Sequence, residues 1–181
     1  MREKEGRQLL AAYRRWACYV SCCIALLAST ATAQDANSRR RVPVPERAAL
    51  LIRPLLDLRQ EAVNQCGLQD EKCRDGEAYE RQQQRWRKVG GLLYRLTRRR
   101  SADADEALVV LMCFYIGESQ EERDAVITRG RRMLPLLRKY LHGVPVVPGR
   151  EYSTLLLKPE EIKTAEFAGA MKAIEKRGAK N

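Results

Sequence analysis

The chain has 181 residues, with 34 lysines and arginines against 23 acidic residues and a formal net charge of +11. That length suits one domain with a real hydrophobic core, and one histidine excludes a metal centre built on several histidines. The basic balance favours anionic neighbours: nucleic acid, lipid headgroups or cell-wall polymers.

The N-terminal segment has three zones. Arg2, Lys4, Arg7, Arg14 and Arg15 stand against Glu3 and Glu5, an apolar run follows, and Ala31-Thr32-Ala33 closes it. A basic start, an apolar middle and small residues at −3 and −1 are the plan of a secretory signal peptide, so residues 1–33 are expected to be removed by cleavage between Ala33 and Gln34. Cleavage after Ala31 is the fallback. Retention of the helix over residues 16–33 as a membrane anchor is the alternative, although Ser29, Thr30 and Thr32 dilute its second half. Cys22 and Cys23 lie too early in the apolar run for a lipoprotein, and the residues after Arg14-Arg15 do not follow the twin-arginine pattern.

Cleavage would leave residues 34–181. It removes five cations and two anions, which leaves a net charge of +8. Cys18, Cys22 and Cys23 leave as well. The expected site of action is the periplasm or the exterior, where nucleic acid is not the everyday partner. Of the remaining thiols, Cys66 and Cys73 flank the polar loop "GLQDEK", and an oxidising compartment favours a disulfide between them. Closing that loop would stabilise by about 2–3 kcal/mol on the chain-entropy model. Cys113 lies in an apolar run and reads as a buried small hydrophobe; a Cys66–Cys113 pairing stays open.

Residues 34–45, "QDANSRRRVPVP", read as a flexible basic tail ahead of a single α-helical domain over 46–181. The first helix spans 46–65, with Leu51, Leu55, Leu58 and Ala62 on one face, a kink or restart near Arg53 caused by Pro54, and Gly67 as its end. The second spans 76–99. Tyr79, Trp86, Val89, Leu93 and Leu96 form its apolar stripe, and Gln82 to Arg85 its outside. Gly90-Gly91 lower its propensity and mark a candidate close helix crossing. Arginines 98–100 suit its negative C-terminal end.

The third helix spans 103–116, with Asp103 and Glu106 at capping-box spacing. The unbroken apolar run from Ala107 to Ile116 makes it the central core element, with a strand as the alternative. A fourth helix starts at Ser119, capped with Glu122, and reaches residue 141 with a break at Pro135. Residues 142–149 read as a loop and 152–157 as extended or ambiguous. The last helix opens with Pro159 at its first position, runs through Ile162, Phe167, Met171 and Ile174, and closes at Gly178. About five helices in antiparallel hairpins result.

"RPLLDLR" at 53–59 and "LPLLRKYL" at 134–141 echo one another. The stretch "AVITRGRRMLPLLRKYL", residues 125–141, resembles a helical repeat unit of the HEAT or armadillo type. That resemblance implies paired antiparallel helices and a scaffold or binding role. No regular repeat period accompanies it.

Motifs for chemistry are scarce. His142 stands in a loop, and no CxxC, HExxH, GxSxG or glycine-rich phosphate loop is present. Glu118-Ser119 after an apolar helix resembles the catalytic Glu-Ser of lytic transglycosylases, which would make Glu118 a general acid on cell-wall glycan. The downstream glycine-leucine-methionine-glutamine segment of those enzymes is missing here. Arginine clusters at 39–41, 81–88, 95–100, 129–132 and 138–139 read mainly as solvated helix faces, with Trp86 in the core. The expected function is therefore an exported, non-enzymatic interaction or scaffold protein of the cell envelope, without cofactor, metal or stable membrane span. Its partner is a protein or an anionic envelope component.

Overall fold

A helix that must pack against two neighbours needs a wide apolar face, and the first helix has one. The structure, a computed structural model, describes residues 40–67, 73, 76–116, 120–152 and 156–179. It is mainly helical. Helix α1 spans Glu46–Cys66 and buries Ala48, Ala49, Ile52, Leu55, Leu56, Ala62, Val63 and Cys66. It packs on helices α2 (Gly76–Arg98) and α3 (Ala102–Leu111). The buried face is rotated from the expected stripe: Leu51 and Leu58 sit at its edge, half-buried. Pro54 causes no restart, and α1 runs through it. Pro54 and Leu50, whose carbonyl loses its partner amide to the proline, are both exposed, so water replaces that hydrogen bond. Gly67 ends α1 at φ 81°, its amide donating to the Val63 carbonyl.

The inner stripe of α2 is Gln82, Trp86, Val89, Leu93 and Leu96, spaced by fours and threes. Two expectations fail at its start. Gln82 lies inside at 2% exposure, and Tyr79 is 47% exposed. The Cys66 sulfur at the end of α1 lies 3.6 Å from the Gln82 amide oxygen. Residues before Gln82 therefore extend past α1 and have no α1 residue left to pack on. Gly90 and Gly91 mark no crossing either, since an added Cβ at each would meet nothing within 4 Å.

Helix α3 is the central element, packed by α1, α2, α4 (Glu121–Arg129) and α5 (Leu134–Leu141). Its cap is Ser101, whose hydroxyl accepts from the Ala104 amide at 3.2 Å. The Asp103–Glu106 box does not form, because Glu106 bonds the Tyr140 hydroxyl at 2.6 Å instead. The helix stops at Leu111, short of the expected 116. Phe114 then pairs with Leu157 in an antiparallel bridge, and the Lys158 amide donates to the Cys113 carbonyl at 2.9 Å. The apolar run is thus a helix, a turn and an extended segment, all of it buried except the partly exposed Tyr115.

The fourth predicted helix is divided. Helix α4 starts at Glu121 with Gln120 at its cap position; Ser119 lies outside the described residues. Gly130 at φ 75° ends α4, a 3-10 turn covers Gly130–Met133, and Pro135 sits in the first turn of α5. The break thus falls just upstream of the proline. Helix α6 spans Glu160–Gly178, with Pro159 one residue outside it, and buries Lys163, Phe167, Ala170 and Ile174. Ile162 points outward at 42% exposure.

Two segments read as tail and loop are strands. Strand β1, Arg41–Pro43, pairs in parallel with β2, Val144–Val146, and Val42 and Val44 are buried. The compact unit that holds these strands therefore begins at Arg40, within the expected tail. A Cβ on Gly143 would lie 2.4 Å from a Val42 methyl carbon, so the strands meet where only glycine fits without a shift. Lys163 donates to the Gly143 carbonyl at 3.0 Å and ties α6 to this corner.

Because Gly90 and Gly91 lie in open space, Gly90→Ala and Gly91→Ala should each stabilise the fold by about 0.5–1 kcal/mol. Urea denaturation checks this, and a loss of stability would show that the glycines are needed structurally.

Candidate functional site

The cysteines settle first. Cys66 and Cys73 form a disulfide with a Cα–Cα distance of 5.1 Å, which joins the end of α1 to the segment leading into α2. Cys113 is free and buried, so the alternative Cys66–Cys113 pairing is not made. Burial pushes the Cys113 thiol up to about 12, so it stays protonated and unreactive near neutral pH.

The disulfide anchors a helix with two different faces. The inner face of α2 is apolar. From Arg81 to Arg100 the chain carries eight lysines and arginines and no carboxylate. Arg87, Lys88, Tyr94, Arg95 and Arg98 are exposed, and their helical spacing puts them on one face. Arg98 lies over the Tyr94 ring at 4.4 Å. Arg81 is occupied by Glu77 at 3.2 Å, one turn away. The face is bounded by a cleft of about 350 Å³ beside α4, where Glu121 and Asp124 face Tyr94 and Arg100. Like charges on one helix face repel, and an anion docked there would relieve that cost. Trp86 belongs to the inner edge: Arg59, buried in α1, lies over its ring at 5.0 Å and donates to the Tyr115 carbonyl at 2.9 Å.

A buried ion cluster fixes the C-terminal end of this helix. Arg129 of α4 pairs with Asp105 of α3. Its other terminal nitrogen donates to the carbonyls of Leu96, Thr97 and Arg99, at 3.2, 3.1 and 2.7 Å. Helix C-termini leave carbonyls without partners inside the helix; here one guanidinium nitrogen reaches the Thr97 carbonyl, the Arg99 carbonyl just past the helix, and the Leu96 carbonyl, which also accepts from the Arg99 amide at 3.2 Å. Burial draws the Arg129 pKa down, and Asp105 opposes it. Arg132 joins Asp105 at 3.1 Å from the solvent side. Sequence reading missed Asp105 and Arg129, since neither stands out by type or spacing.

The other sequence candidates do not assemble into a catalytic centre among the described residues. The His142 side chain is 77% exposed, with its Nδ1 3.9 Å from a Glu160 oxygen. Glu118 and Ser119 lie outside the described residues, as do Ala33 and Gln34 with the whole candidate leader. Among the described residues no group of three histidine, cysteine or acidic side chains is placed to hold a metal ion. Nor is any helix among them long and apolar enough to cross a membrane.

Arg129→Met would leave Asp105 buried beside half-exposed Arg132 and remove the donor to the Thr97 and Arg99 carbonyls. It should destabilise by about 3–5 kcal/mol in chemical denaturation. Alkali should also unfold the protein early. Cys113 and Tyr152 are both raised to about 12, and burial with a hydrogen bond to Glu106 raises Tyr140. All three are neutral acids held protonated by the fold. Their contribution is complete below their unfolded pKa values, near 9–10, and is lost as pH rises towards 12. The melting temperature should therefore fall from about pH 9 upward, less steeply in Tyr152→Phe.

Compared with known proteins, the chain matches no family model, no curated protein and no solved structure.

Proposed function

We propose that this protein is an exported, non-enzymatic interaction module of the cell envelope, docking on an anionic partner through the outer face of α2. The single observation that carries this reading is that face: Arg87, Lys88, Arg95 and Arg98 around Tyr94, in a stretch of eight cations without a carboxylate. Such a patch concentrates negative charge and speeds encounter with anionic surfaces. The helices are read as antiparallel hairpins, with α1 and α2 joined by the disulfide-closed loop and α2 and α3 by a short link through Arg99, Arg100 and Ser101. Export is supported by the three-zone pattern of residues 1–33 and by the Cys66–Cys73 disulfide, a bond that persists in oxidising compartments.

Two measurements test the proposal. Intact mass of the protein recovered from its native host should correspond to a chain beginning at Gln34, with two thiols protected until reduction. A full-length chain with every thiol free would overturn export. On an immobilised polyanion, the variant with Arg87, Lys88, Arg95 and Arg98 all changed to Gln should bind at least tenfold more weakly, with an unchanged melting temperature and a flatter salt dependence. Unchanged retention would remove α2 as the docking face.

A further inference from the structure

A groove of about 670 Å³ is separate from the basic face just described: none of its lining residues belongs to α2. The volume falls within the roughly 300–1,000 Å³ of small-molecule sites. Its lining is mixed: Val144 and Leu157 give an apolar strip over the largely buried Phe114 and Val147, and Val146 on the rim is 40% exposed. The charged groups are few and individually placed. Arg150 is already paired with Asp57 at 2.7 Å, and Asp57 also accepts from the Tyr152 hydroxyl at 3.1 Å. Arg41 and Glu151 also line the groove, and neither side chain has an ion-pair or hydrogen-bond partner among the described residues. They form no ion pair with one another.

The backbone beside the groove disfavours a peptide. The Val144 amide donates to Arg40 and the Val146 carbonyl accepts from Val44, so both point towards β1. The residue between them is Pro145, and Pro148 follows in the loop. Neither has an amide hydrogen to offer an added strand. Docking by strand addition depends on such main-chain donors. An occupant held by apolar contact and by two separate opposite charges meets no such obstacle.

We infer that this groove binds a single-chain zwitterionic amphiphile, with its acyl chain along Phe114, Val144 and Leu157, its phosphate towards Arg41 and its ammonium towards Glu151. Each charged contact would be charge-assisted, the stronger class of hydrogen bond. Burying the chain supplies most of the attraction, at about 0.8 kcal/mol per methylene. The two rim charges select the headgroup.

The test is calorimetric titration of the purified chain with a lysophosphatidylethanolamine below its micelle concentration. Two comparators of equal chain length accompany it: a lysophosphatidic acid and a monoacylglycerol. The zwitterion should bind saturably with one site. Arg41→Ala should weaken both phosphate ligands about tenfold, and Arg41→Lys should restore most of that loss. Glu151→Gln should weaken the zwitterion alone. Val146→Trp, which fills the groove from an exposed position, should weaken all three ligands. The quadruple α2 variant should bind as the parent does, which separates this site from the docking face. No saturable binding would overturn the inference. So would affinities indifferent to Arg41 and Glu151, or a zwitterion bound no better than the monoacylglycerol.

Discussion

The Arg129 guanidinium is the constraint on which the arrangement of helices depends. It belongs to α4, pairs with Asp105 at the start of α3, and donates to three carbonyls at the end of α2. Three chain segments are thereby joined through one side chain. The link between α2 and α3 is short, and a short link would otherwise leave helix-end carbonyls facing one another without donors. Buried ion pairs gain little over a well-packed apolar substitute, but removing one partner is costly. The cluster therefore acts more as a device for fixing geometry than as a large source of stability.

The approach to the other end of α2 is restrained covalently at Cys73. The Cys66–Cys73 disulfide restrains the chain between α1 and α2, and its main effect is to reduce the freedom of the unfolded chain. The disulfide lies three residues before α2 and Arg129 holds its other end, so both ends of the helix are restrained close to the rest of the fold. Rigidity matters for the reading of that face. A row of cations on a mobile segment is a solubilising tail, whereas the same row on a fixed helix has a defined spacing against a partner's charges.

The small parallel sheet has a similar role for the groove. Strands of three residues have little stability of their own, and this pair relies on Val42 and Val44 reaching the core and on Lys163 holding Gly143 from α6. That construction places Arg41 and the loop after β2 at a fixed distance from the Phe114–Leu157 bridge. The groove is therefore assembled from three regions far apart in the chain: Arg41, Phe114 and the stretch from Val144 to Leu157.

The sequence by itself determined the features that local physics controls. Helical periodicity located the first, second and last helices to within a residue or two, Gly67 ended the first through left-handed backbone, and Cys66 and Cys73 pair across the short polar loop that separates them, as an exported chain would favour. The basic composition of α2 was equally plain. Only the tertiary structure decided which residues face inward where local patterns tie or conflict. Gln82 is buried and Tyr79 exposed because α1 ends level with Gln82. Ser101 rather than Asp103 caps α3, because either residue type can do so and the chain's approach selects one. The strands at Arg41–Pro43 and Val144–Val146 left no signal, since each is three residues long, carries a proline and is paired across about a hundred positions of sequence. Asp105 and Arg129 look like ordinary surface charges until the fold brings them together, for an ion pair has no signature in the order of residues that form it.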